Sequence, residues 1–339
     1  MTSPRGRFAL VFTVASAALV AVAAISMAVG SFPVPVRDVT GVLWAAITAG
    51  DAGVPENVRA IVLQVRGPRV LAALAVGAAL ASAGAAYQNL FRNPLVAPDV
   101  LGVSAGCALG AVAGIFMGLP IAAIQGLAFA GGIAAVSLVL AIGSWVRGHD
   151  RVLTLVLTGV VVGSLFGAGI AFAKYVADPY NQLPAITFWL MGSFAAASEQ
   201  EIVGLLPAVA LALAVLVLLA WRINLLALPE DEARALGVNT RRLRASVIAA
   251  ATLATSASVA VSGIIGWVGL VVPHMARLVV GPEFSRLLPV AALFGAMFML
   301  VIDTIARTLA IIEVPPGILT AIIGTPVFIA LLARARRVM

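Results

Sequence analysis

The sequence predicts an all-α integral membrane protein of about ten transmembrane helices, with both termini cytoplasmic and the whole chain, 1–339, forming one transmembrane domain. Three observations carry this reading. Of the 339 residues, 62% are hydrophobic and only 10% are charged, whereas a soluble domain runs near half apolar and a quarter charged. The mean hydropathy is +1.12, an excess of apolar side chains that no water-soluble core of this length hides. The apolar residues also fall in runs near the ~20 residues needed to cross ~30 Å of hydrocarbon.

Taken in order, the runs place spans at 8–30, 70–88, 101–118, 121–146, 152–176, 202–221, 245–263, 264–272, 287–306 and 317–333. The first follows Arg5 and Arg7 but outruns the ~7–15-residue apolar core of a signal peptide, so it is read as a helix that stays. In the third, Gly102, Gly106, Gly110 and Gly114 recur every four positions and make one smooth face for a neighbouring helix. The fifth carries Gly159, Gly163, Gly167 and Gly169, with modest polarity from Thr154, Thr158 and Ser164. Gly263, Gly266, Gly269 and Pro273 either break 245–272 into two helices or kink a single one. Charge decides between them. With a broken pair, 15 of the 21 basic residues fall on the cytoplasmic side and six outside; with a merged helix the division is 10 to 11. The excess of arginine belongs inside, so the pair is read as broken.

Two loops are more than connectors. In the outer segment 177–200, the apolar run 183–191 with Trp189 suits a short helix at the interface. In the cytoplasmic stretch 222–244, Pro229 fits the first position of a helix, with Glu230, Asp231 and Glu232 in its first turn and Gly237 just past its end. Asn239 or Thr240 then caps a second short helix. A structured loop there is a natural docking element for a soluble partner.

The net charge of +7 sits between apolar runs, so it is a topology signal and not a nucleic-acid footprint. A single cysteine, Cys107, rules out an internal disulfide. A phosphate loop needs Gly-Lys-Ser/Thr, and the one lysine is Lys174, so any drive from ATP comes from another polypeptide. His149 and His274 end different spans, and no Cys/His cluster has metal-ligand spacing; neither a metal nor a cofactor is expected. Asp303 is the clear ionisable residue inside a span, and Arg307 follows on the same face, giving an expected structural ion pair. An ion-coupled secondary transporter needs more intramembrane carboxylates than these. An intramembrane enzyme needs a His/Glu or Ser/His constellation that the spans lack.

Motifs in order then bring a resemblance. Val65-Arg66-Gly67-Pro68-Arg69, Gln88 to Leu95 with Pro98 and Leu101-Gly102, Trp189 to Ser193, Ala233 to Val238, Gly266 to His274 with Arg277, Asp303 to Arg307, and Pro316 to Thr320 with Gly324 to Phe328 span essentially the whole chain. Together they resemble the FecCD/BtuC-like permeases, the transmembrane subunits of type II ATP-binding-cassette (ABC) importers for ferric siderophores, haem and cobalamin. Pro229 stands where that family usually has Gly, and Pro315-Pro316 replaces a single Pro followed by an aliphatic residue.

The resemblance implies a non-enzymatic, multi-pass subunit of the cell membrane, surrounded by lipid. It implies pairing with a second permease subunit, identical or paralogous, with two cytoplasmic ATPase subunits and with an extracytoplasmic substrate-binding protein. It assigns docking of that binding protein to Arg66, Arg69 and Arg307, and ATPase coupling to Arg92, Asn93, Pro94, Pro229, Glu230, Ala233, Arg234, Leu236 and Gly237. It assigns the pathway and its gate to Arg151, Val152, Leu153, Thr154, Thr158, Gly159 and Gly163, with the loop 147–153 as the cytoplasmic gate. A ferric siderophore is the expected cargo, with haem, cobalamin or a molybdate-type oxyanion as alternatives.

Overall fold

The structure, a computed structural model, describes residues 4–30, 32–48, 50, 53–146 and 151–335. All regular structure among them is helical. The spanning elements are α1 (Pro4–Ala28), α4 (Gly67–Leu90), α5 (Val103–Phe116), α6 (Ile121–Trp145), α7 (Arg151–Val176), α9 (Glu199–Leu225), α11 (Thr240–Ser262), α12 (Val268–Val280), α13 (Phe284–Ala306) and α14 (Pro316–Ala335). Seven described helices are long and apolar enough to cross a membrane, and the apolar parts of α5, α12 and α14 are shorter. Between them lie α2 (Val36–Thr48), α3 (Glu56–Ala60), α8 (Gln182–Met191) and α10 (Glu230–Ala235).

The helix α4 sits at the centre, packed against α9, α11, α12 and α13. Its sequence explains this place. Alanines, glycines and a serine line nearly every side, so neighbours approach its backbone from all round, and residues 72, 73, 76, 79, 81 to 83, 85 and 86 have no exposed surface. Two contacts are glycine on glycine. A Cβ added to Gly77 would come 2.7 Å from the Gly295 carbonyl carbon, and one on Gly84 would come 2.6 Å from that of Gly269. In the same way Gly106, Gly110 and Gly114 seat α5 on Gly131, Leu127 and Ile124 of α6. Gly102 lies outside that face and turns the chain into α5 at φ 72°.

Four boundaries differ from the sequence reading. The second span is the end of a continuous 35-residue helix, Glu56–Leu90, that includes a π-helical stretch at Ile61–Arg66. Hydropathy ended the span at Arg69 because it prices charges as solvent-facing, and these are paired. The seventh and eighth spans are separate, as the charge balance required, but the second of them is Val268–Val280 rather than 264–272. Gly263 at φ 67° and Trp267 at φ 71° bound the break, and α12 continues through Pro273 instead of ending before it. The short helix expected after Asn239 does not exist by itself. Asn239 Oδ1 accepts from the Arg242 amide at 3.0 Å and caps α11 directly, while α9 runs on to Leu225, so the loop 222–244 shrinks to 226–239. The helix α2 was not anticipated; its signal was Val39, Val42 and Ala45, buried at every third position.

Overpacking of a tight core costs typically ~1–3 kcal/mol. Gly84→Val and Gly77→Val should each lower the thermal unfolding midpoint in detergent by several degrees. Gly126→Ala, where a Cβ meets open space, should leave it unmoved.

Candidate functional site

At the outer end of α4, three arginines meet three chain segments. Arg69 donates from Nε to Asp303 Oδ1 at 2.9 Å and Oδ2 at 3.1 Å, and from Nη2 to Oδ1 at 2.7 Å. Its other edge meets Glu313, with Nη1 to Oε2 at 3.0 Å and Nη2 to Oε1 at 2.5 Å. One guanidinium therefore holds two carboxylates side by side, the planar geometry that Arg alone offers. Asp303 has no exposed surface. Its expected partner, Arg307, lies 3.7 Å away through Nε, so the shorter contacts go to Arg69, which is 234 positions away in the chain.

Arg66 and Arg307 are occupied elsewhere. Arg66 donates to the carbonyls of Met27 at 2.5 Å and Ala28 at 3.0 Å, and also to that of Phe32. Arg307 donates to the carbonyl of Ser26 and to its Oγ at 2.8 Å. These oxygens lie at and just past the C-terminal end of α1, where helical carbonyls lack intrahelical donors and the dipole favours cations. The three arginines, with Glu313, Phe32 and Ile311, line a cavity of about 340 Å³. Sequence reasoning missed Glu313 and Ser26, because a loop carboxylate and a helix-terminal serine carry no spacing signal.

The opposite face is arranged around α10. Pro229 is its N-cap, Glu230, Asp231 and Glu232 fill its first turn, and Leu236 is exposed just before Gly237, which turns at φ 80°. Arg234 pairs with Glu230 at 2.6 Å on the surface, where such pairs contribute little. Thr240 Oγ1 donates to Glu230 Oε1 at 3.1 Å and ties α10 to α11. That hydrogen bond, helped by the Arg234 charge, holds the Glu230 carboxyl below its usual range. Arg92, itself at φ 51°, reaches from the loop after α4. It donates to the carbonyl of Leu226 at 2.7 Å and to that of Leu228, and so fixes the approach to Pro229. Asn93 folds back on its own loop, accepting from Leu95 N at 2.9 Å just beyond Pro94, and Ala233 is buried under α10.

The helix α7 joins the two faces. Val160, Val161 and Leu165 are exposed, and nothing lies within 4 Å of a Cβ built on Gly163 or Gly167. Gly159 instead lets α7 pack on the turn at Pro98–Leu101. Thr158 Oγ1 donates to the Thr154 carbonyl at 2.8 Å, which leaves the helix surface nearly apolar. Val152 and Leu153 begin α7; residues 147–150 of the expected gate, and the side chain of Arg151, lie outside the described residues.

Comparison with known proteins fits this geometry. Residues 18–334 match the FecCD transport family. The chain is 39% identical to the molybdate import permease MolB of Haemophilus influenzae over 94% of each chain. It is 41% identical to the cobalamin import permease BtuC of Halobacterium salinarum, over 94% of this chain and 88% of that one. A solved structure described as an inward-facing conformation of a putative metal-chelate type ABC transporter superposes with a TM-score of 0.85 at 37% identity, covering 95% of this chain and 98% of the other.

Removing one partner of a buried ion pair costs about 3–5 kcal/mol. Arg69→Met should therefore lower the unfolding midpoint sharply, and Arg69→Met with Asp303→Leu should recover much of the loss. A double variant no better than the single one would mean that Asp303 does not depend on Arg69.

Proposed function

The chain belongs to the FecCD transport family and is a permease subunit of an ABC importer; from that premise we propose that two such subunits enclose a pathway for a metal chelate, foremost a ferric siderophore. The observation that supports this most directly is the open, uncharged face of α7. Glycine and small aliphatic side chains give a wide wall with no fixed charge and few hydrogen-bonding groups, suited to a bulky cargo that must not stick. Haem and cobalamin satisfy the same wall. A second reading, a molybdate-type oxyanion, is favoured by the Haemophilus relative, which matches along 94% of its length. The test is ATP-dependent uptake by the complete importer in vesicles, with ferric siderophore, haem, cobalamin and molybdate offered in competition. Accumulation by this subunit alone on a cation gradient would overturn the importer mechanism.

The partner subunit is a second permease, identical or paralogous. On the cytoplasmic side, α10 of each permease subunit, with Arg92, Asn93 and Pro94, receives one of two ATPase subunits. Its acidic first turn and exposed Leu236 offer a charged and an apolar contact, and Arg92 ties its motion to α4. Gly237→Val forces a β-branched residue to a positive φ. It should leave basal ATP hydrolysis within twofold while lowering uptake at least tenfold; undiminished uptake would exclude α10 as the coupling element.

On the outer side, the cavity of Arg66, Arg69 and Arg307 receives an acidic side chain of the substrate-binding protein. Donor counting makes this an exchange. Arg69 already gives both edges to Asp303 and Glu313, and Arg66 and Arg307 cap α1, so an incoming carboxylate takes the place of Glu313, the more exposed of the two. Glu313→Gln should tighten binding of that protein several-fold, and Arg69→Glu should abolish it. Weaker binding by Glu313→Gln would show that Glu313 itself is a contact.

A further inference from the structure

Near α10 there is a second cavity, of about 240 Å³, whose floor is Leu90, Phe91 and Leu155 and whose rim carries Arg241 and Arg244. Leu140, Ala245 and Ile248 line both it and an adjoining hollow of about 320 Å³ along α6 and α11, past Ile133 and Leu253. That second hollow is apolar in effect. Its two hydroxyls are already engaged, Ser137 Oγ with the Ile133 carbonyl at 2.8 Å and Thr252 Oγ1 with Tyr87 at 3.3 Å.

We propose that this groove is a binding site for one anionic phospholipid, with its phosphate on Arg241 and Arg244 and an acyl chain along α6 and α11. Charge selects the occupant. The remaining charged group of the rim, Glu230, is matched by Arg234 at 2.6 Å and by Thr240 at 3.1 Å, and the Arg244 charge acts on it without a hydrogen bond or ion pair between them. Arg241 and Arg244 have no hydrogen bond or ion pair among the described residues, and Arg244 Nε is buried without an acceptor. Three positions apart, they share one face of the first turns of α11. A buried guanidinium donor left unmatched is costly, and a phosphodiester supplies acceptors with the right charge. The depth is also right, because basic pockets between helices at the cytoplasmic boundary take anionic headgroups. The apolar hollow then has the chain that a free phosphate lacks. Because Thr240 and Glu230 join this rim to α10, an occupied site also braces the coupling helix.

The experiment is native mass spectrometry of the full chain in detergent, titrated with phosphatidylglycerol, with phosphatidylcholine of the same chains, or with inorganic phosphate. One phosphatidylglycerol should bind at least tenfold more tightly than phosphatidylcholine. Arg241→Gln with Arg244→Gln should remove that preference. Ala245→Phe, which fills the groove and leaves the charges, should weaken both lipids alike. Equal binding of the two lipids by the native chain, an unchanged preference in the double glutamine variant, or phosphate competing as well as lipid would each overturn the site. Should the double variant misfold, Ala245→Phe still decides: undiminished lipid binding there rules out the groove.

Discussion

Asp303 sets the terms for the outer half of this molecule. A carboxylate without exposed surface, at the end of a span, is tolerable only if a cation meets it at close range. The cation is Arg69, on a different helix, and the meeting requires α4 and α13 to run backbone to backbone. Gly77 against Gly295 provides that approach two to three turns below. Packing and electrostatics are therefore one constraint: the glycine pair fixes the separation at which the ion pair closes, and the ion pair makes any other separation expensive.

Orphaned helix ends explain the long-range contacts of three other arginines. The end of α1 is closed by Arg66 and Arg307, the end of α9 by Arg92, and the start of α13 by Asn224, whose Oδ1 accepts from Phe284 N at 2.7 Å. In a membrane these groups have little water to turn to, so long side chains from distant segments serve them. The consequence for function is that Arg66, Arg69, Arg307 and Arg92, the basic residues assigned to docking and coupling, are already employed. Under the proposed docking and coupling, new contacts at these sites form by exchange of partners, and an exchange moves the helix end that the old partner held.

This division also explains what the sequence revealed. Apolar runs placed nine of the ten spans within a few residues of a helix, because a span is apolar whether it faces lipid, as α7 does, or other helices, as α4 does. The charge balance separated α11 from α12 where hydropathy was ambiguous. The motif Asp303 to Arg307 was legible as a local pair, but its dominant contact with Arg69 was not, since periodicity within a helix carries no information about the helix opposite. Glu313 was invisible for a stronger reason: its role comes from a loop returning to a helix begun some 240 positions earlier. The span 264–272 stopped short because the apolar run was closed before Pro273, whereas α12 continues through it to Val280.

Between the two charged ends, the described wall of α7 offers little that could hold a ligand tightly, and that shapes the cycle. If the pathway does not grip its cargo, specificity belongs to whatever delivers it, and direction belongs to whatever moves the ends. On the proposed docking of an acidic side chain, the outer end changes state as that carboxylate replaces Glu313 on Arg69. On the proposed coupling, the inner end changes as α10 shifts against Arg92 and Thr240. Both proposed events bear on α4, one at Arg69 and the other through the loop that follows Leu90, and α4 is enclosed by α9, α11, α12 and α13. A rigid central helix with exchangeable contacts at its two ends passes a displacement from one face to the other, whereas a flexible one would absorb it.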